Sequence, residues 1–251
     1  MNKYRLLSLA AWSFSVYSAP GMRPLTTDRP DTTESPNTVD AGHFQFEMEL
    51  ANWSRDGGGR EFSLGEINAK IGLDASTDLQ VVIPFYTQVR DGGEGFGDVQ
   101  IRLKRNLWGN DAGSTALGLM PFVKIPSADS DLGNGKFEGG LIVVFGFDGP
   151  AAWSCAVMAE VDLKADHEGG GSHFEGLTSA TMSHEVTETT GVFFEFVSIL
   201  STELGSAWEA YFNTGMTWAI TPAWQIDAGI RVGLTDAATD LKPFLGASRK
   251  F

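Results

Sequence analysis

The chain of 251 residues has little cysteine, little positive charge and no long hydrophobic run. Its one cysteine, Cys155, excludes an internal disulfide framework and a cysteine-based metal centre. The neighbours of Cys155 put it on an apolar strand face, where a thiol is an inert structural group. Lys and Arg number 18 against 32 Asp and Glu, a net charge of −14. That surplus argues against nucleic acid, or an anionic lipid surface, as the main partner. No stretch approaches the roughly eighteen consecutive apolar residues of a spanning helix. With 42% hydrophobic residues and a mean hydropathy of −0.08, a helical membrane protein is excluded.

Glycine, at 30 residues, is abundant, and so is alternation. Over residues 225–234, Ile226, Ala228, Ile230, Val232 and Leu234 alternate with Gln225, Asp227, Gly229, Arg231 and Gly233. A period of two is a strand with one apolar face and one polar or small face. Residues 208–220 repeat the pattern, with Trp208, Ala210, Phe212, Met216, Trp218 and Ile220 on the apolar side. Between them Pro222, which has no N–H for a ladder, marks a tight turn over 221–224. Strands of about ten residues exceed the usual five or six. Long alternating strands with aromatic ends suit a lipid-embedded barrel, apolar outward, polar inward, aromatics at the interfaces.

The same unit recurs over 43–53, 66–73, 79–90, 98–107, 115–125, 137–147, 153–164, 173–186, 192–199 and 241–251. The total of about twelve is even, as in single-chain bacterial barrels. Connections at 74–78, 148–150, 187–190 and 221–224 are short, whereas those at 127–136 and 165–172 are longer. Outer-membrane barrels show this asymmetry between periplasmic turns and external loops. Trp53, Trp108, Trp153, Trp208, Trp218 and Trp224 all fall at strand ends, as interface girdles do. An open sheet in hydrocarbon leaves edge amides unsatisfied at several kcal/mol each, so the strands must close. The predicted fold class is therefore all-β: a closed antiparallel up-and-down transmembrane β-barrel of about twelve strands. Ahead of it, residues 1–19 read as a signal peptide, with Lys3 and Arg5 before an apolar stretch and small residues at its end. Residues 20–42, rich in Thr, Asp, Pro and Ser, have no period and read as irregular, leaving 43–251 for the barrel.

In this register the mid-strand charges face inward. Glu47, Glu49, Glu66, Asp98, Glu160, Asp162, Glu195, Glu209 and Asp227 stand against Lys70, Arg90, Arg102, Lys104, Lys124 and Arg231. Arg105 and Arg249 point outward near strand ends, where they can snorkel. Side chains partly fill the lumen of a barrel this small. The inner charges are therefore either a network that holds the barrel rigid or a pore lining that sets selectivity. If residues 26–36 fold into the lumen as a plug, Asp28, Arg29 and Asp31 are expected to pair with these charges.

The string Thr27-Asp28-Arg29-Pro30-Asp31-Thr32-Thr33-Glu34-Ser35-Pro36-Asn37, followed by Gly42-His43-Phe44-Gln45-Phe46-Glu47, resembles a bacterial outer-membrane β-barrel family. That family is labelled as transporters of meta-pathway phenol degradation. Gly95-Phe96-Gly97-Asp98, Phe122-Val123-Lys124-Ile125-Pro126 and the closing block 211–251 with its Thr-Pro turn match as well. The resemblance covers nearly the whole chain beyond residue 19. It implies passive diffusion of small molecules, aromatic or hydrophobic ones included, across the Gram-negative outer membrane. It also implies outer-membrane lipid and the barrel-insertion machinery as partners, the latter through the C-terminal strand ending in Phe251. Such barrels usually carry an aromatic two residues before the final Phe, whereas Arg249 stands there in this chain.

Other motifs are weaker. Residues 93–97 imitate a phosphate loop, but a strand rather than a helix follows. Residues 129–135 suggest a calcium loop, but the glycine and asparagine positions do not fit an EF-hand. His167 and His173 flank Glu168 in a glycine-rich stretch that reads as a flexible loop, and no metal ligand is assigned there. No cofactor and no enzymatic activity are expected. Two alternatives to a channel stay open: a closed structural or interaction barrel, and a lipid hydrolase built on Ser183 and His184, for which no third orienting group is identified.

Overall fold

The structure, a computed structural model, describes residues 22–56, 59–129, 132–167 and 170–251. The expected signal peptide at 1–19 lies outside the described residues, as do Glu168 and residues 130–131 of the calcium-loop motif. The wall begins with β1 (Phe44–Asp56), β2 (Gly59–Asp74) and β3 (Thr77–Val89). A two-residue strand, β4 (Glu94–Gly95), pairs back onto β3 within the next connection. Then follow β5 (Val99–Trp108), β6 (Thr115–Ile125), β7 (Glu138–Asp148), β8 (Ser154–Ala165) and β9 (Ser172–Glu185). β10 (Thr190–Ser201), β11 (Glu209–Thr221), β12 (Trp224–Gly233) and β13 (Leu241–Lys250) complete it. All neighbours are antiparallel, β3 pairs with β5, and β1 pairs with both β2 and β13, which closes the ring. Without β4, that ring has the expected twelve strands.

The strands form because alternation gives each a face for lipid and a face for the lumen, and the burial is inside-out accordingly. Phe46, Leu103, Val157, Phe196, Phe212 and Leu245 are large, apolar and exposed. Gln45, Gln80, Lys104, Glu195, Asn213 and Asp227 are polar or charged and each 1% exposed or less. Water would not tolerate such an apolar belt, whereas hydrocarbon requires it. No helix of the described residues is long and apolar enough to cross a membrane; the strands do the crossing.

The chain termini of the barrel meet at the end that carries the short turns, where Phe251 N donates to Phe44 O at 2.8 Å. The opposite end carries the longer connections. The first hairpin is taller than the sequence suggests. The three glycines within residues 55–60 predict a loop there, yet ladder pairing carries β1 to Asp56 and restarts β2 at Gly59. Arg105 reaches Asp74 and Thr77 at the short-turn end, and Arg249 lies over the Phe251 ring at 4.6 Å. Both outward arginines thus rest at the rim. Ser183 and His184 are successive residues of one strand and so face opposite sides. His184 stacks on Trp153 at 5.0 Å, so the two do not form a catalytic pair.

Candidate functional site

Residues 22–42 have no period, so their backbone groups need partners other than a ladder. The wall supplies them. The N–H groups of Asp28 and Arg29 donate to Glu47 on β1 at 2.9 and 3.0 Å. Those of Thr32 and Thr33 donate to Glu195 on β10 at 2.9 and 2.6 Å. Val39 N donates to Asp78 on β3 at 2.9 Å, and Asn106 on β5 donates to the carbonyl of Pro36 at 2.8 Å. Asn213 on β11 and Arg231 on β12 donate to the Thr32 hydroxyl at 3.2 and 3.1 Å. Only a segment inside the ring can meet strands all round it. It enters and leaves at the short-turn end, where Arg23 Nε lies 2.6 Å from Asp40 and Lys250 donates to Pro24 O at 3.0 Å.

Charge fixes its orientation. Asp28 sits between Lys70 and Lys104, and Lys70 also holds Glu47. Burial alone would raise the Asp28 carboxyl; Lys104 and Lys70 outweigh it and hold the group well below the usual carboxylate range. Arg29 reaches Asp227 at 2.8 Å and Glu49 at 3.3 Å. Glu34 reaches Arg102 at 2.7 Å, yet burial and the neighbouring Asp28 push its carboxyl up to about 7. Asp31 departs from expectation. It lies against Glu195 rather than a cation, and burial together with that like charge raises its carboxyl well above normal. Glu34 takes the pairing role expected of Asp31. An irregular segment gives no periodicity from which to tell which of two acids three residues apart meets an arginine.

The opposite side of the lumen is apolar. Met120, Ile142, Val144 and Met158, from β6, β7 and β8, cluster at 4% exposure or less, with Phe122, Ala156 and Leu177 against them. Pro36 rests on this wall, and Cβ atoms placed on Gly118 and Gly146 would come 3.0 and 3.1 Å from it. Strand patterning hides this patch, because β6 and β7 are apolar on both faces.

The remaining candidates spread toward the long-loop end. Lys124 pairs with Asp98 and Glu138, each at 2.8 Å. Glu160 is partly buried and Asp162 buried on β8, and Glu209 accepts a hydrogen bond from the Tyr211 hydroxyl. Glu66 is exposed and lines a 290 Å³ cavity with Asn52, Tyr86 and Lys242. Arg90 is not on the lumen wall. It lies past the end of β3, exposed beside Asp91 at 3.7 Å, because the strand stops at Val89 and a turn begins. Asp78, Gln80 and Asn106 join the buried lining without having been singled out by charge pattern, and Glu34 joins the ion-paired residues of the segment inside it.

The model of the family described as "Putative MetA-pathway of phenol degradation" matches residues 27–251. No curated protein matches the chain. Among solved structures, an outer-membrane channel of Pseudomonas putida F1 superposes with a TM-score of 0.68 at 14% identity, covering 86% of this chain and 98% of that one. The NanC porin superposes with a TM-score of 0.61 at 9% identity, covering 83% of this chain and 100% of the porin. At these identities the likeness is one of fold: a barrel of the outer-membrane type.

Proposed function

Because the chain belongs to the phenol-degradation family whose model spans it, we propose that it is a passive outer-membrane channel for small molecules, with residues 22–42 as its plug. The observation that carries the plug is the occupied lumen, with Asp28, Arg29 and Glu34 each ion-paired to the wall. The family's pathway favours aromatic or hydrophobic solutes. The lumen suits them on one side, where Met120, Ile142, Val144 and Met158 form an apolar lane once Pro36 moves aside. The acidic and basic residues opposite keep water and polar substituents solvated. Lipid contacts the outer belt, and the insertion machinery reads the closing strand up to Phe251. The reading is non-enzymatic, in keeping with the separated Ser183 and His184.

Deletion of residues 26–36 tests it. In planar bilayers the deleted protein is expected to conduct more than the intact one, and in liposome swelling to admit phenolic acids faster. The filled lumen also favours a closed structural barrel. Unchanged conductance and swelling on deletion would select that reading and reject the plug.

A further inference from the structure

We propose that the long-loop end carries a divalent transition-metal site suited to Zn²⁺, with His173, His167 and Glu203 as ligands and Asp166 orienting His173. These residues come from separate parts of the chain. Asp166 and His167 lie in the β8–β9 connection, His173 opens β9, and Glu203 lies in the β10–β11 connection. They converge at a 430 Å³ cavity. Asp166, His173 and Glu203 each place a ligand atom within 4.8 Å of the other two.

The geometry assigns the roles. Asp166 Oδ1 lies 2.9 Å from His173 Nδ1. A carboxylate on one ring nitrogen fixes the tautomer and presents the other nitrogen to a metal, the arrangement found behind many zinc-bound histidines. The presented atom, His173 Nε2, lies 4.0 Å from Glu203 Oε2. His167 Nδ1 lies 2.6 Å from the same oxygen. In a tetrahedral site with bonds of about 2.0–2.1 Å, ligand atoms stand about 3.4 Å apart, so the His173–Glu203 contact closes and the His167–Glu203 contact opens, each by less than about 1 Å, and the exposed His167 ring, which lies outside the preformed group of Asp166, His173 and Glu203, turns toward His173 to complete the set. The metal would take the place of the contact between His167 Nδ1 and Glu203 Oε2. The His173 side chain is 6% exposed, so an imidazole is held between two carboxylates away from bulk water. Lys164, an ammonium in the same cavity, is taken up by Glu175. Mixed imidazole and carboxylate donors suit Zn²⁺ better than Ca²⁺ or Mg²⁺, which prefer oxygen alone. The expected loop thus becomes a clasp between two external connections.

The test is calorimetric titration of ZnCl₂ into the full chain folded in detergent, with heat-modifiable gel mobility to certify each variant as folded. The intact protein is expected to bind one Zn²⁺. His173→Ala and Glu203→Gln are expected to abolish that binding, and Asp166→Asn to weaken it about 10–100-fold, the usual effect of losing an orienting carboxylate. His167→Ala, a change to an exposed side chain that leaves the fold alone, is expected to weaken it at least about tenfold. His184→Ala, at the opposite end of the barrel, should leave it unchanged. No binding by the intact protein, or equal affinity in His167→Ala and His184→Ala, would overturn the site and leave a hydrogen-bonded loop staple.

Discussion

At Glu34, burial and the charge of Asp28 act against the attraction of Arg102, and the raised carboxyl shows which side prevails. The consequence for plug docking has a definite sign. The docked state favours the protonated form, so docking takes up a proton. Its contribution is full below the ordinary carboxylate range and is lost as pH rises through about 7. Asp31, also raised, acts in the same direction. Asp28 is lowered, so its contribution changes only at more acid pH and stays constant across neutrality. Channel openings of the intact protein are therefore expected to be more frequent at pH 8 than at pH 5.5, and Glu34→Gln should flatten that profile. A wild-type profile that is flat or inverted would remove Glu34 from the docking equilibrium. The charged residues themselves were visible in the sequence. Their pairing was not: Asp31 and Glu34 carry the same charge on a segment without a period, and the fold alone decides that only Glu34 meets a guanidinium.

β2 shows how an element positions the plug. Gly42 N donates to Gly72 O at 2.8 Å, and Ala41 bridges Gly72 in parallel. A Cβ at Gly72 would fall on the Asp40 carbonyl, well inside contact distance. Gly72→Ala is thus expected to displace residues 39–41 and part Asp40 from Arg23. β2 itself, laddered to β1 and β3, should keep its register. Cleavage after Glu34 by a glutamyl endopeptidase should become several-fold faster while heat-modifiable mobility stays normal; unchanged cleavage would mean that the return limb does not hold the plug. Alternation made most wall strands legible, though β9 is mostly small and polar and β10 is apolar on both faces but for Glu195. It was less informative at strand ends, as at β1, where glycine-rich sequence suggests a loop but pairing continues to Asp56. It was silent about the apolar inner patch, because apolar residues on both faces of β6 and β7 carry no sign of which side is in.

For the whole molecule, one inference governs stability: lipid surrounds the ring. Met216 lies mid-strand on β11 with its side chain outward, 38% exposed. Met216→Arg is expected to cost about 2–4 kcal/mol relative to Met216→Ala, the usual penalty of a basic side chain facing the bilayer midplane. Urea unfolding in phospholipid vesicles measures it. A difference near zero would mean that this face does not meet hydrocarbon.

By itself the sequence determined most of the strands, their number as about twelve, the side that faces lipid wherever alternation is clean, and the need to close. Each of these follows from a period of two and from the cost of unpaired amides in hydrocarbon, both readable over a few neighbouring residues. Only the tertiary structure decided that residues 22–42 fill the lumen, which wall charges hold them, and that two histidines meet two carboxylates at one rim. Those contacts join residues as far apart as 227 positions, and no local pattern encodes a distance of that kind.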